Sequence, residues 1–155
     1  MTNKKDSSIP NRKSDHLRIA LENDVDSLLT TGLENIHLTH EGLPEVNLSD
    51  VDTKLQLFGK SLNFPLLISS MTGGNRDAEL INRNLATIAQ ETGIAMSVGS
   101  QRVAIEDPSL SNSFHLRSVA PDILLFSNLG AIQLMKGYSV DECKKAVDML
   151  DSDAL

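Results

Sequence analysis

Pro65-Leu66-Leu67-Ile68-Ser69-Ser70-Met71-Thr72-Gly73-Gly74 runs from an apolar stretch directly into small, polar and glycine residues. The apolar part is too continuous for a strand with one wet face. It reads as a strand buried on both sides, as in a parallel sheet. A helical pattern follows at 77–92, with Ile81, Leu85, Ile88 and Ala89 on one stripe and Gly93 as its stop. Residues 94–98 are the next apolar run. Asp107-Pro108 then predicts a helix to about Val119, with Asp at the cap and Pro in the first turn. Residues 123–126 are the third run. Ser139-Val140-Asp141-Glu142 has capping-box form, and Val140, Cys143, Val147 and Leu150 carry the spacing of a buried helical face. Asp153-Ala154-Leu155 reads as the beginning of a fourth strand.

The order is therefore β-α-β-α-β-α in units of about 30 residues, the size of a right-handed βαβ crossover. The fold class is α/β. Upstream, residues 12–26 carry a helical pattern, with Leu17, Leu21, Val25 and Leu28 near one face. The pattern breaks around Gly42 and Pro44, and the segments 54–58 and 61–64 flank Gly59-Lys60 as a hairpin. Three regions result: a flexible N-terminus at 1–11, a helix with extended and hairpin segments at 12–64, and three βα units at 65–155.

The composition bounds the function. The chain has 155 residues, 40% of them hydrophobic and 23% charged, which is ordinary for a soluble globular domain. The single Cys143 excludes an internal disulfide framework. Residues 1–13 resemble neither a secretory signal nor a transit peptide, and no apolar run approaches the ~20 residues of a membrane span. These features lead to a cytoplasmic expectation with no membrane partner. The net charge of −7 and the scarcity of aromatics argue against nucleic acid. Locally clustered cations still allow a small anionic ligand.

Each apolar run ends in similar chemistry. The first runs into Ser70-Met71-Thr72-Gly73-Gly74, the second into Gly99-Ser100-Gln101-Arg102, and the third into Ser127-Asn128-Leu129-Gly130. Taken alone, Gly73-Gly74 is as readily a βα turn, Arg102 a solvated side chain and Asn128 a turn former. In a parallel sheet all three segments emerge on one edge, where ligands bind, and together they read as a site. Glycine lets a planar ring approach the backbone, and Ser, Thr and Asn satisfy a heterocycle's polar rim. Arg102 and the Arg12-Lys13 pair suit an anionic substrate. Neither a Walker loop nor a G-x-G-x-x-G fingerprint occurs.

Four motifs, in order, resemble type 2 isopentenyl-diphosphate isomerase: Arg12-Lys13-Ser14-Asp15-His16, the 65–74 stretch, Val98-Gly99-Ser100-Gln101-Arg102, and Phe126-Ser127-Asn128-Leu129-Gly130-Ala131. The resemblance covers essentially all of the chain after the first ten residues. It implies a (β/α)8 TIM barrel in the parent protein, of which this chain holds an N-terminal extension and roughly the first three βα units. It also implies FMN, NADPH to keep the flavin reduced, Mg2+, a small diphosphate substrate, and a homo-oligomer in the full-length protein. Carried over by motif, Ser70, Met71, Thr72, Gly73, Ser100 and Asn128 bind the flavin. Arg12, Lys13, Ser100, Gln101 and Arg102 face the substrate, with His16 near the same end. The family's later segment, with a Gln for the substrate and a Glu for magnesium, has no counterpart here, so no metal ligand is assigned and the chain is expected to be an incomplete, inactive fragment. Asp107 is more simply a cap and Cys143 a core residue, while His37, His40 and His115 lack metal-ligand spacing. The competing readings are another FMN-dependent TIM-barrel oxidoreductase and a truncated, non-catalytic homologue.

Overall fold

A computed structural model describes residues 9–155, with side chains from Ser14 onward. The expected mobile terminus at 1–11 falls largely outside the described residues, and helix α1 (Ile9–Glu22) already includes its last three positions. Two short 3₁₀ turns, Leu33–Asn35 and Leu48–Asp50, interrupt the connection to a hairpin of β1 (Leu55–Leu57) and β2 (Lys60–Leu62). The α/β part then runs β3 (Leu67–Ile68), α2 (Arg76–Thr92), β4 (Ala95–Ser97), α3 (Arg102–Glu106), a 3₁₀ segment (Pro108–Phe114), β5 (Leu125–Phe126), α4 (Ile132–Met135) and α5 (Val140–Leu150).

β3, β4 and β5 pair in parallel in chain order, with Ile68 opposite Met96 and Met96 opposite Leu125. Ala154 adds a parallel bridge to Phe126, where the fourth strand was expected to begin. Alternation along β4 separates two faces. Met96 and Val98 join Leu125, Phe114, Ala86, Ala89 and Leu150 in the core beneath the helices. Ala95 points the other way and packs with Leu124 and Leu62, so the hairpin covers the amino-terminal half of that second face. The Phe58 and Phe126 rings meet edge to face at 5.9 Å. The hairpin turn sits one residue earlier than the spacing predicted, at Phe58-Gly59. Both residues take positive φ, 48° and 76°, the paired left-handed geometry that matches strand twist.

The structure corrects several expectations. No (β/α)8 barrel is present: the described residues form two small sheets, of two and three strands. An eight-stranded closed barrel needs ~250 residues, and three strands with one bridge cannot close on themselves. β3 is not buried on both sides, because it is an edge strand and Leu66 and Leu67 remain more than half or half exposed. In α2 the fully buried residues are Ala78, Asn82, Ala86 and Ala89; of the expected stripe Ala89 is buried, Leu85 packs against the core and Ile81 is partly buried, whereas Ile88 is half exposed. Asn82 turns this face inward because its carboxamide donates to the carbonyls of Thr72 (3.2 Å) and Ser113 (3.1 Å). The flanking alanines allow the close approach. Asp107 caps a 3₁₀ segment that ends at Phe114, and an additional short helix, α3, precedes it. α1 ends at Glu22, so Val25 and Leu28 lie beyond it, exposed. In α5 the buried residues are Ala146 and Leu150, whereas Val140 faces solvent.

One structural clamp was not anticipated. Arg117 donates to the carbonyls of Asp151 (2.7 Å) and Ile123 (2.8 Å) and pairs with Asp153 at 2.7 Å. Asp153 also accepts the Leu125 N–H at 2.9 Å and lies 3.6 Å from Lys60 of β2. Burial alone would raise the Asp153 pKa. The Leu125 N–H, Arg117 and Lys60 outweigh it and hold the carboxyl below its ordinary range. Hairpin, β5 and the start of the next strand segment are thereby tied together.

Candidate functional site

The second sheet face is open at the carboxyl ends of the strands, beyond the cover of the hairpin. Ser97, at the end of β4, shares a 2.6 Å hydrogen bond with Ser70. Asn128 donates its side-chain amide to the same Ser70 oxygen at 3.2 Å. The three strand ends are thus joined side chain to side chain. The Asn128 side-chain oxygen accepts no bond among the described residues. A partly exposed carboxamide with its amino group engaged and its oxygen open is a ready acceptor for a ligand N–H.

Glycine serves the backbone here. A Cβ on Gly99 would lie 2.6 Å from the Thr72 carbonyl oxygen, which also accepts the Gly99 N–H at 3.1 Å. A Cβ on Gly73 would overlap the buried Phe114 ring, so Gly73 admits a side chain of this protein from that direction. Gly74, with φ of 82°, donates to the Ser113 hydroxyl at 2.8 Å. The loop passes into α2 through Asn75, whose side chain accepts the Ala78 N–H. Met71 projects from it, 66% exposed.

The substrate-facing set is divided. Ser100 is partly buried at the end of the β4 loop. Arg102 sits on the first turn of α3 and reaches Glu106 one turn later, at 3.3 Å. Tyr138 donates its hydroxyl to the same carboxylate at 3.2 Å. Burial, and then the Glu106 charge, push the Tyr138 pKa up and keep it a donor. Gln101, expected beside Arg102 facing a diphosphate, is instead wholly buried. Its Nε2 donates to the Ala146 carbonyl at 2.7 Å and its Oε1 accepts the Asn128 backbone N–H at 3.0 Å. The side chains of Arg12 and Lys13 lie outside the described residues. Their neighbour Ser14 accepts a 3.4 Å hydrogen bond from Asn75, which brings this end of α1 to the loop after β3. His16, His37, His40 and His115 are exposed. Among the described residues no group of three or more His, Cys, Asp or Glu is placed to hold a metal ion.

One contributor to the site, Ser97, escaped the reading of the sequence. Ser97 lies inside an apolar run, where a serine signals nothing by itself. Ser127 is buried and donates to the Ala146 carbonyl at 2.9 Å, beside Gln101. Past Asn128, Leu129, Leu134, Tyr138 and Cys143 line an open cavity of about 220 Å³.

Fold and site together define an α/β unit of parallel strands with a polar binding edge at their carboxyl ends. No protein-family model matches the chain. The chain is 56% identical, over 149 residues, to an isopentenyl-diphosphate delta-isomerase of Synechocystis sp.; the match covers 96% of this chain and 43% of that protein. Proteins of the same name from a Nostoc species and from Ignicoccus hospitalis are 53% and 49% identical over 93% and 94% of this chain, and 41% and 40% of their own lengths. The chain therefore spans about two fifths of the length of these relatives. Their names carry the reaction and no subtype. The type 2 identification drawn from the four motifs is accordingly corrected to a likeness at the level of the reaction. Among the described residues no helix is long and apolar enough to cross a membrane.

Proposed function

We propose that this sequence contributes the strand-end site of an enzyme that interconverts isopentenyl diphosphate and dimethylallyl diphosphate. The observation that carries the reading is the 56% identity, across nearly the whole chain, to a protein named for that reaction. The reaction adds a proton to the terminal methylene carbon and removes one from the carbon beside the diphosphate-bearing carbon. Atoms and electrons balance with no net oxidation. Arg102 and Ser100, with Arg12 and Lys13, are the groups we assign to the diphosphate. Arginine's fork matches phosphate oxygens, and a bound diphosphate would compete with Glu106 for it.

The open edge also fits a flavin's polar rim. The Asn128 side-chain oxygen is available to a ring N–H, the Ser100 hydroxyl can donate or accept, and the exposed Met71 offers a soft apolar surface. We therefore propose FMN as cofactor, held by Ser70, Met71, Thr72, Gly73, Ser100 and Asn128. Its reduced form would supply proton-transfer chemistry when bound. NADPH would serve as reductant and Mg2+ as counter-ion to the diphosphate; neither is assigned to a described residue. A cytoplasmic, homo-oligomeric protein is part of the same reading.

The test is a chimera in which this chain replaces the matching 149 residues of the Synechocystis relative. Incubated with isopentenyl diphosphate, FMN, NADPH and Mg2+ in D2O, it should yield deuterated dimethylallyl diphosphate without stoichiometric NADPH consumption. One NADPH consumed per turnover would favour a flavin oxidoreductase instead. A folded chimera with no double-bond shift would overturn the proposal.

A further inference from the structure

Gln101 is the one wholly buried polar side chain among the described residues of the strand-end segments, and each end of its carboxamide bonds to a different element. Its amino group donates to the Ala146 carbonyl in the middle of α5. Its oxygen accepts the Asn128 N–H, and its own backbone N–H donates to the Asn128 carbonyl at 2.9 Å. Both main-chain groups of Asn128 are therefore held by one residue. The Asn128 carboxamide in turn donates to Ser70, which shares a hydrogen with Ser97. A continuous path runs from α5 through Gln101 and Asn128 to the open edge.

We propose that Gln101 is a positioning residue: it fixes the backbone of Asn128, and thereby aims the Asn128 carboxamide and the Ser70 hydroxyl at the ligand. This deepens the reading of the strand-end site and rests on it. Gln101 does not meet the ligand. A buried amide bonded at both ends is costly to rotate, because any other orientation leaves a donor and an acceptor unpaired. The Asn128 backbone is consequently set before ligand arrives, and orientation that is already in place need not be supplied by binding.

The experiment uses this 155-residue chain, 15N-labelled, with Gln101→Leu and Gln101→Glu. The Met96 amide, bonded to Leu124 in the core, reports folding. In Gln101→Leu, hydrogen exchange at the Asn128 amide should quicken by roughly tenfold or more, the loss of about one buried hydrogen bond, while Met96 stays protected. Gln101→Glu keeps an acceptor for the Asn128 N–H and should retain most of the protection, which provides a second variant if the leucine chain does not fold. Unchanged Asn128 exchange in a folded Gln101→Leu chain would overturn the proposal. FMN titration supplies the link to the ligand. Asn128→Ala and Gln101→Leu should each weaken binding, and the double variant should be no weaker than Asn128→Ala alone. Additive losses would mean that Gln101 acts independently of Asn128, against the proposal. If Asn128→Ala leaves FMN affinity unchanged, Asn128 is no part of the flavin site, and the exchange data still decide the role of Gln101.

Discussion

Asn128 donates its side-chain amide to the Ser70 hydroxyl at 3.2 Å, joining the loops after the first and third parallel strands across the end of the second. These residues are 58 positions apart in the chain, and Ser97 completes the bridge from β4. The hydrogen-bonded row lies where the sheet face is left uncovered by the hairpin.

Removing the open carboxamide should affect ligand more than fold. Asn128→Ala is expected to lower flavin affinity about tenfold, the worth of roughly one good hydrogen bond in a partly dry site, with a much smaller change in thermal midpoint. Fluorescence titration beside a melting curve reads both. Equal affinity in variant and parent would remove Asn128 from the cofactor site.

Gly99 and Gly73 are expected to tolerate no side chain, for different reasons. At Gly99 the obstacle is the Thr72 backbone, so Gly99→Ala should cost about 2 kcal/mol or more. At Gly73 the obstacle is the Phe114 ring, and Gly73→Ala should be partly rescued by Phe114→Leu. Urea denaturation of the single and double variants distinguishes the cases. Rescue at position 99 by the same Phe114 change would contradict the geometry.

The Arg117 clamp carries a stability prediction away from the site. Arg117→Ala leaves the Ile123 carbonyl without its donor and the partly buried Asp153 carboxylate with only the more distant Lys60. The expected loss is about 2–3 kcal/mol, and Arg117→Lys should recover only part because it cannot reproduce the fork. Chemical denaturation measures it, and a loss below ~0.5 kcal/mol would show that solvent replaces these contacts.

Acid should loosen the fold through two carboxylates. The Ser139 backbone N–H and hydroxyl hold Glu142 at a pKa of about 2, and Asp153 is also lowered. A group whose folded pKa is depressed stabilises the fold above its unfolded value, and that contribution disappears as pH falls through the folded value. Stability should therefore decline from about pH 4.5 toward pH 2. Glu142→Gln should flatten part of that slope, which melts at several pH values will reveal. An identical slope in the variant would exclude the capping box as a contributor.

Charge at Arg102 should be tunable through Glu106. Glu106→Gln removes the carboxylate that competes for the guanidinium and should tighten pyrophosphate binding several-fold, whereas Arg102→Ala should weaken it by about tenfold. Isothermal titration at two salt concentrations tests this. No change with either variant would place the diphosphate elsewhere.

Features determined within a few residues of the chain were readable without a structure. Ser139 and Glu142 form their capping box, Gly93 ends α2 in the left-handed conformation, and the apolar runs at 94–98 and 123–126 contain the buried strands. Each depends on neighbours the chain itself keeps close. Tertiary packing decided the rest. It turned the alanine and Asn82 face of α2 inward, used Gly73 to admit Phe114, and buried Gln101 beneath Asn128. These outcomes turn on partners tens of residues away, such as Gln101 with Ala146 or Arg117 with Asp153. Periodicity can identify a face as apolar, but only the neighbouring surface determines how closely that face is approached and which polar groups must be paired beneath it.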